Sequence, residues 1–494
     1  MGLGRKLAAV TTAVCAATAL FTAAPADAAG QGIDWRPCPT GHGVECGKLT
    51  VPLDWDRPGD GTIQLALARR KAADPAHRIG SVLMDPGGPG GAGATSVQNG
   101  WALSAKVLAR FDTVGFDPRG VGNSTQVRCG LTESTAQYPA LPKSPAEFQQ
   151  LLDHDRALGQ SCARITGPLA DHVDTRSVVR DMDAIRAALG DQKLTYYGVS
   201  YGTLMGQQYA ETYPDRVRAL VLDSNMDHSI HSTWEFLRTE AQATQSSFDQ
   251  FVNWCDRTAS CALHGQDVRA VLAGLYARAE RGELGTPDDK IDPMALIGMV
   301  NSSFYGPTWS KLAERLVSLR DGKAPAAAFA SDELSVPDPF NSIFCSDWRL
   351  PITSFPQLDN YRRALAGVAP DVHFSPLGWS AATGCAGWPG QVRNPQHALS
   401  VRPGTPVLML NSQYDPATPY EWAVRASQQA RVPLLTYDGW GHGAYFKNSQ
   451  CVTDAADAFL IDGTSPGRGK HCAAVQPGAQ SRMDGPRAPV TQLY

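Results

Sequence analysis

The sequence predicts an α/β fold, a mostly parallel sheet with helices on both faces that carries a mostly helical inserted region. Three observations point there. Short β-branched and aromatic runs alternate with helical stretches up to about residue 225, and the alternation resumes near residue 405. Between about Met226 and Gly404 strand signals are scarce and helical ones dominate. One strand-to-helix passage reads Gly198-Val199-Ser200-Tyr201-Gly202, a serine set between two glycines.

The N-terminal stretch has Arg5 and Lys6, an apolar run from Leu7 to about Phe21, then Ala26-Asp27-Ala28. A basic start, a short apolar centre and small residues at a cut site predict a secretory signal peptide over residues 1–28, and hence export. The run is short and rich in Ala and Thr, so it makes a poor membrane span, and no later segment is long enough for one. A first core part is expected over 29–225, the inserted lid over 226–404, a second core part over 405–475 and a mobile tail over 476–494.

Within the core, Ile33 to Lys71 reads as a β-rich segment broken by the turn Arg57-Pro58-Gly59-Asp60-Gly61. Arg78 to Met84 is a strand leading into Asp85-Pro86-Gly87-Gly88-Pro89-Gly90-Gly91. Phe111 to Phe116 is another, leading into Asp117 to Ser124, a tight turn expected to support the same rim. The helical stretch Thr175 to Leu189 precedes the strand Leu194-Thr195-Tyr196-Tyr197, and a helix through Leu204 to Ala210 ends near Pro214. Arg216 to Leu222, Pro406 to Asn411 and Val432 to Tyr437 complete the strands. In the insertion, Trp234 to Trp254 and Asp267 to Arg281 have amphipathic helical spacing.

At 494 residues, 43% hydrophobic and 19% charged, the chain can bury a large core. A net charge of −4 with no basic stripe excludes nucleic-acid binding as an expectation. Eleven cysteines are present, and ten remain once Cys15 leaves with the signal peptide. They fall in neighbouring couples: Cys38 and Cys46, Cys129 and Cys162, Cys255 and Cys261, Cys345 and Cys385, Cys451 and Cys472. Proximity predicts those five disulfides in an exported chain, although sequence leaves the connectivity open. With no CxxC and no clustered His-Cys spacing, a metal site is not expected, nor is any cofactor.

A serine hydroxyl is a weak nucleophile, so it needs a base, an acid to orient that base, and fixed donors for the developing oxyanion. A strand that turns into a helix through Gly-x-Ser-x-Gly is the sequence form of a nucleophile elbow, whose partners follow in the order Ser, then Asp or Glu, then His. Ser200 is the candidate nucleophile. Asp415 follows the strand Pro406 to Asn411, and His442 follows the strand Val432 to Tyr437, each on a loop at a strand end. The gap between them leaves room for one helix and one strand. Asp438 is too close before His442 to serve, and Asp223 is a weaker alternative acid. The oxyanion donors are expected to be the backbone N–H groups of Tyr201 and Gly88. The glycine loop around Gly88 lacks the Lys-Ser or Lys-Thr of a phosphate-cradling loop, so nucleotide binding is not expected.

Asp85 to Gly93, Gly115 to Gly122, Gly198 to Thr203, and the Asp415 and His442 loops together resemble the secreted tripeptidyl aminopeptidases of the α/β-hydrolase superfamily, relatives of prolyl aminopeptidase. Cys46 to Trp55, Cys451 and Cys472 share the likeness. The resemblance implies release of tri- or tetrapeptides from free peptide N-termini, in some relatives after proline, without a metal. Three extended residues span roughly 10 Å, so a carboxylate that captures the substrate ammonium is expected about that far from Ser200. The lid should supply it, and Glu235, Glu240 and Asp347 are the candidates. The protein is expected to act as a monomer on peptides with free N-termini, away from membranes once the leader is removed. A secreted esterase or lipase would use the same triad. A non-catalytic binding protein on this scaffold would have no need of Ser200, Asp415 and His442 together.

Overall fold

The structure, a computed structural model, describes residues 1–2, 32–286, 290–323 and 335–477. The expected leader and tail lie outside the described residues, apart from residues 1–2 and 476–477.

Among the described residues twelve strands are formed: β1 (Arg36–Pro37), β2 (Glu45–Pro52), β3 (Thr62–Arg70), β4 (Gly80–Asp85), β5 (Phe111–Asp117), β6 (Arg128–Gly130), β7 (Leu194–Val199), β8 (Val217–Asp223), β9 (Ser335–Pro337), β10 (Val407–Tyr414), β11 (Leu434–Trp440) and β12 (His471–Cys472). Ten of them make one sheet in the order β1-β2-β3-β5-β4-β7-β8-β10-β11-β12. The first strands pair antiparallel, and everything from β5 through β12 is parallel. This is the α/β-hydrolase architecture. β4, β5 and β7 are buried along their whole length, as inner parallel strands covered on both faces must be.

Alternation of side chains across the pleat builds two cores. Leu83, Val114, Tyr196, Leu220 and Met409 face one, which continues into the insertion through Leu237 and Phe248. Val82, Met84, Tyr197, Val221 and Leu408 face the other, with Trp101, Tyr445 and Phe459.

Between β8 and β10 the described chain is mostly helical, and its first two helices, Thr233–Arg257 and Val268–Glu280, cover the amphipathic stretches read from sequence. Ser232 caps the first, its hydroxyl accepting the Glu235 N–H at 3.2 Å. The helices Pro293–Tyr305, Trp309–Arg320, Phe340–Asp347, Phe355–Val368 and Pro376–Thr383 follow. One feature of the early core is absent from the sequence reading. The helix Pro145–Thr166 packs beside β6, and β6 pairs antiparallel with β9 of the insertion, tying core and cap together. Its signal was present as Ser144-Pro145-Ala146-Glu147, a cap residue with Pro at the first helical position and Glu two further on.

All five neighbouring cysteine couples are within disulfide distance: Cys38–Cys46, Cys129–Cys162, Cys255–Cys261, Cys345–Cys385 and Cys451–Cys472. The turn after β5 braces the opening segment of the chain. Arg119 within it is fully buried and donates twice to Asp181, at 2.7 Å each, and also to the carbonyls of Pro52, Leu53 and His172. Every donor of that guanidinium end is thereby turned inward to fix the β-rich opening segment against the helix Thr175–Ala188.

Candidate active site

Parallel pairing lines up the carboxyl ends of the inner strands. Asp85 stands opposite Gly198, Val199 opposite Asp223, and Asp223 opposite Leu410. The loops that leave these strands therefore share one edge of the sheet, where sites of open α/β sheets form.

Ser200 occupies the turn between β7 and the helix Tyr201–Thr212 with φ of 58° and ψ of −125°. A non-glycine residue held at positive φ costs of order 1–3 kcal/mol and persists only where its surroundings over-determine it. Here they do. The Ser200 N–H donates to the Asp223 carbonyl at 3.0 Å, and the Thr203 hydroxyl and N–H donate to the Ser200 carbonyl. Both flanking glycines are sterically required: a Cβ at Gly198 would lie 2.6 Å from the Gly202 carbonyl oxygen, and one at Gly202 2.9 Å from that of Asp85.

The Asp415 carboxylate receives His442 Nδ1 at 3.0 Å and 3.1 Å, so the two residues predicted as acid and base are joined. The Ala417 and Thr418 N–H groups and the Ser224 hydroxyl also donate to it. Burial alone would raise this carboxyl, but the facing His442 and those donors hold it below its ordinary value, so it stays ionised. An ionised acid on Nδ1 fixes the imidazole tautomer with its proton there and leaves Nε2 as the basic nitrogen. The hydrogen bonds of the His442 ring run to Asp415 and Thr418, and none joins it to Ser200 among the described residues. That contact commonly tightens only with substrate bound.

Residues 223 and 224 knit the three loops. Asp223 takes the Ser200 N–H on its carbonyl, while its carboxylate takes the N–H groups of Ala444 and Tyr445 and the Tyr197 hydroxyl. The Ser224 hydroxyl donates to Asp415 at 2.7 Å and accepts the Gly443 N–H at 2.8 Å. Asp223, weighed as an alternative acid, thus anchors the histidine loop rather than the histidine ring. Asp438 pairs with His471 at 2.6 Å.

The glycine loop reaches the elbow at Gly87. A Cβ there would lie 2.4 Å from the Val199 carbonyl oxygen and 2.7 Å from the Tyr201 nitrogen, and φ is +86°. Only glycine fits. The Gly87 N–H is taken by Asp85 at 2.8 Å.

The three lid carboxylates have different surroundings. Glu235 is ion-paired with Arg425 at 2.7 Å. Asp347 is fully buried and accepts four hydrogen bonds, from the Thr175 N–H and hydroxyl, the Tyr201 hydroxyl and the Asn394 amide. Burial, with the charge of Asp174, pushes it up to about 7 against the pull of those donors. Glu240 is also buried, yet among the described residues its hydrogen bond is to the Ser375 hydroxyl alone, at 3.0 Å. Burial, and secondarily the charge of Asp415, drives the Glu240 carboxyl well above its ordinary range.

The helix bearing Glu240 runs along the loops of Asp415 and His442. Thr239 accepts the indole N–H of Trp422, on the helix Tyr420–Ala430 just after Asp415, and Gln250 accepts that of Trp440, just before His442. Sequence reasoning missed Tyr305, whose ring stands edge-on to His442 with centroids 5.1 Å apart. Nothing local marks it, because it arrives from the end of a cap helix. Among the described residues no group of three His, Cys, Asp or Glu is placed to hold a metal ion, and no helix is long and apolar enough to cross a membrane.

Residues 372–472 match the family described as TAP-like protein. Over 478 aligned residues the chain is 32% identical to serine protease Hip1 of Mycobacterium tuberculosis, covering 90% of this chain and 91% of that protein. It is 31% identical to the tripeptidyl aminopeptidase of Streptomyces lividans, covering 91% and 88%. It is equally 31% identical to carboxylesterase B of Mycobacterium tuberculosis, covering 87% and 86%.

Proposed function

Because this chain belongs to the TAP-like family of α/β-hydrolase serine hydrolases, we propose that it is an exported exopeptidase that removes tripeptides from free peptide N-termini. Tetrapeptide release and cleavage after proline fall within the same reading. Ser200 is the nucleophile, His442 the general base and Asp415 its orienting acid. The Ser200 Oγ attacks the scissile carbonyl carbon while its proton passes to His442 Nε2. The tetrahedral oxyanion is held by the N–H groups of Tyr201 and Gly88. As the C–N bond breaks, His442 returns the proton to the leaving amine, leaving an ester on Ser200. Water, deprotonated by the same imidazole, then releases the short peptide. The protein works as a monomer, outside the cell, where the disulfides persist.

The observation that carries the peptidase reading is Glu240, a buried carboxyl on the cap with one hydroxyl partner. A buried carboxylate is costly without a cation, and a substrate ammonium would supply one. Burial raises the Glu240 carboxyl well above its ordinary range, and a facing ammonium would favour its charged form. Glu235 and Asp347 have charges or donors of their own to satisfy, so Glu240 is the receptor of choice.

A secreted esterase is the second reading, supported by the likeness to carboxylesterase B. A tripeptide bearing a chromogenic amide, its N-acetylated twin and a short-chain ester separate the two. Cleavage restricted to the free-amine peptide is expected. Equal cleavage of the blocked twin removes the exopeptidase reading, and turnover of the ester alone establishes the other.

A further inference from the structure

The cap grips the histidine loop next to His442 itself through the C-terminus of the helix Pro293–Tyr305. The last carbonyls of a helix lack intrahelical partners and carry partial negative charge, so they attract N–H groups and cations. The Tyr305 carbonyl has both: the His442 backbone N–H at 2.9 Å and the Lys447 ammonium at 2.7 Å. Gly441, at φ of +97°, leaves no room between them, since a Cβ there would meet Lys447 Cε and the Tyr305 carbonyl oxygen at 2.7 Å and Pro307 at 3.0 Å. The Tyr305 ring then closes edge-on against the imidazole. Lys447, half-buried, is thus the side chain that fastens the base-bearing loop to the cap.

We infer that Lys447 is a positioning residue for the general base: its ammonium pins the His442 loop to the cap through the Tyr305 carbonyl and so sets the imidazole for proton transfer. The inference rests on the reading of His442 as that base. The groups that face the ammonium are the Tyr305 carbonyl from the cap, Asp415 from the loop after β10 and Asp223 from the end of β8. Burial pulls the amine down to about 8, against the attraction of those two carboxylates, so the pin is charged below about pH 8 and neutral above it.

The test uses diisopropyl fluorophosphate, whose phosphorus is attacked by the activated serine with loss of fluoride and transfer of the serine proton to the base. Its labelling rate reads the Ser–His pair without knowledge of the substrate. Wild type, Lys447→Met and Lys447→Arg are labelled from about pH 6 to about pH 10, with the labelled residue mapped by mass spectrometry and folding checked by melting temperature. The wild-type rate should fall above about pH 8. Lys447→Met should label about tenfold more slowly with no alkaline fall, and Lys447→Arg, always charged, within about threefold of wild type with its plateau extended. Equal rates and equal pH profiles in folded variants overturn the positioning role while leaving the triad intact. A wild type unlabelled at Ser200 overturns the triad itself, and the inference with it.

Discussion

Ser200 is strained, held by fixed backbone partners and flanked by glycines that no other residue can replace, and those local demands are what made it visible in the sequence. Replacing it with alanine should cut turnover by about 10⁴-fold or more, with circular dichroism unchanged; retained activity would show another nucleophile. Asp415 and His442 were legible for a related reason, since each follows a strand in the order the elbow demands. Glu240 was legible only as one carboxylate among several on the cap. Its surroundings, a single hydroxyl and no cation, depend on Ser375, which lies 135 residues away. Glu240→Gln should raise KM for a free-amine tripeptide roughly tenfold while sparing hydrolysis of an ester that lacks the amine. Equal effects on both substrates would remove it as the ammonium receptor.

At the scale of elements, the core strands and the first two cap helices were readable because hydrophobic period and breaker residues are local. The β6–β9 ribbon was not, because its partners lie about two hundred positions apart and each strand is three residues long. Disulfides were readable where the chain returns to itself within a few turns, and Cys345–Cys385 closes the longest such loop, with a separation of 40. Removing that bridge as a double serine variant should cost about 2–4 kcal/mol, read by urea denaturation. Arg119 gave no sequence signal beyond a turn, yet it fixes three segments through Asp181, 62 positions away. Arg119→Ala leaves a buried carboxylate unpaired and should cost about 3–5 kcal/mol. A loss under about 1 kcal/mol would place that pair among surface ion pairs in effect.

Across the whole molecule, the sheet sets a shared edge and the insertion covers it, so chemistry scattered over more than half the chain meets at one rim. The same enclosure buries carboxyls. Asp117 is pushed up to about 6 and Asp347 to about 7, in both cases by burial first, and burial raises Asp85 and Glu240 well above their ordinary values too. Their ordinary values are near 4, so between about pH 4 and pH 7 the folded state holds more protons than the unfolded chain. Stability from these groups is therefore greatest at the acid end of that window and declines as pH rises through it. Asp415 has the opposite sign, but its lowered value matters only below about pH 4, and His228, which burial pulls down to about 4, is a single group opposing the several carboxyls between about pH 4 and pH 6.5. The melting temperature is expected to be higher near pH 5 than near pH 8; a rise with pH across that window would contradict the burial argument.

The central claim, that Ser200 carries the acyl group of the substrate, is tested most directly by quenching turnover of a tripeptide ester in acid and weighing the protein. A mass gain of one tripeptidyl group is expected, located on the peptide that contains Ser200 and missing from Ser200→Ala. An adduct that persists in Ser200→Ala, or turnover by a wild type that never gains the mass, would contradict it.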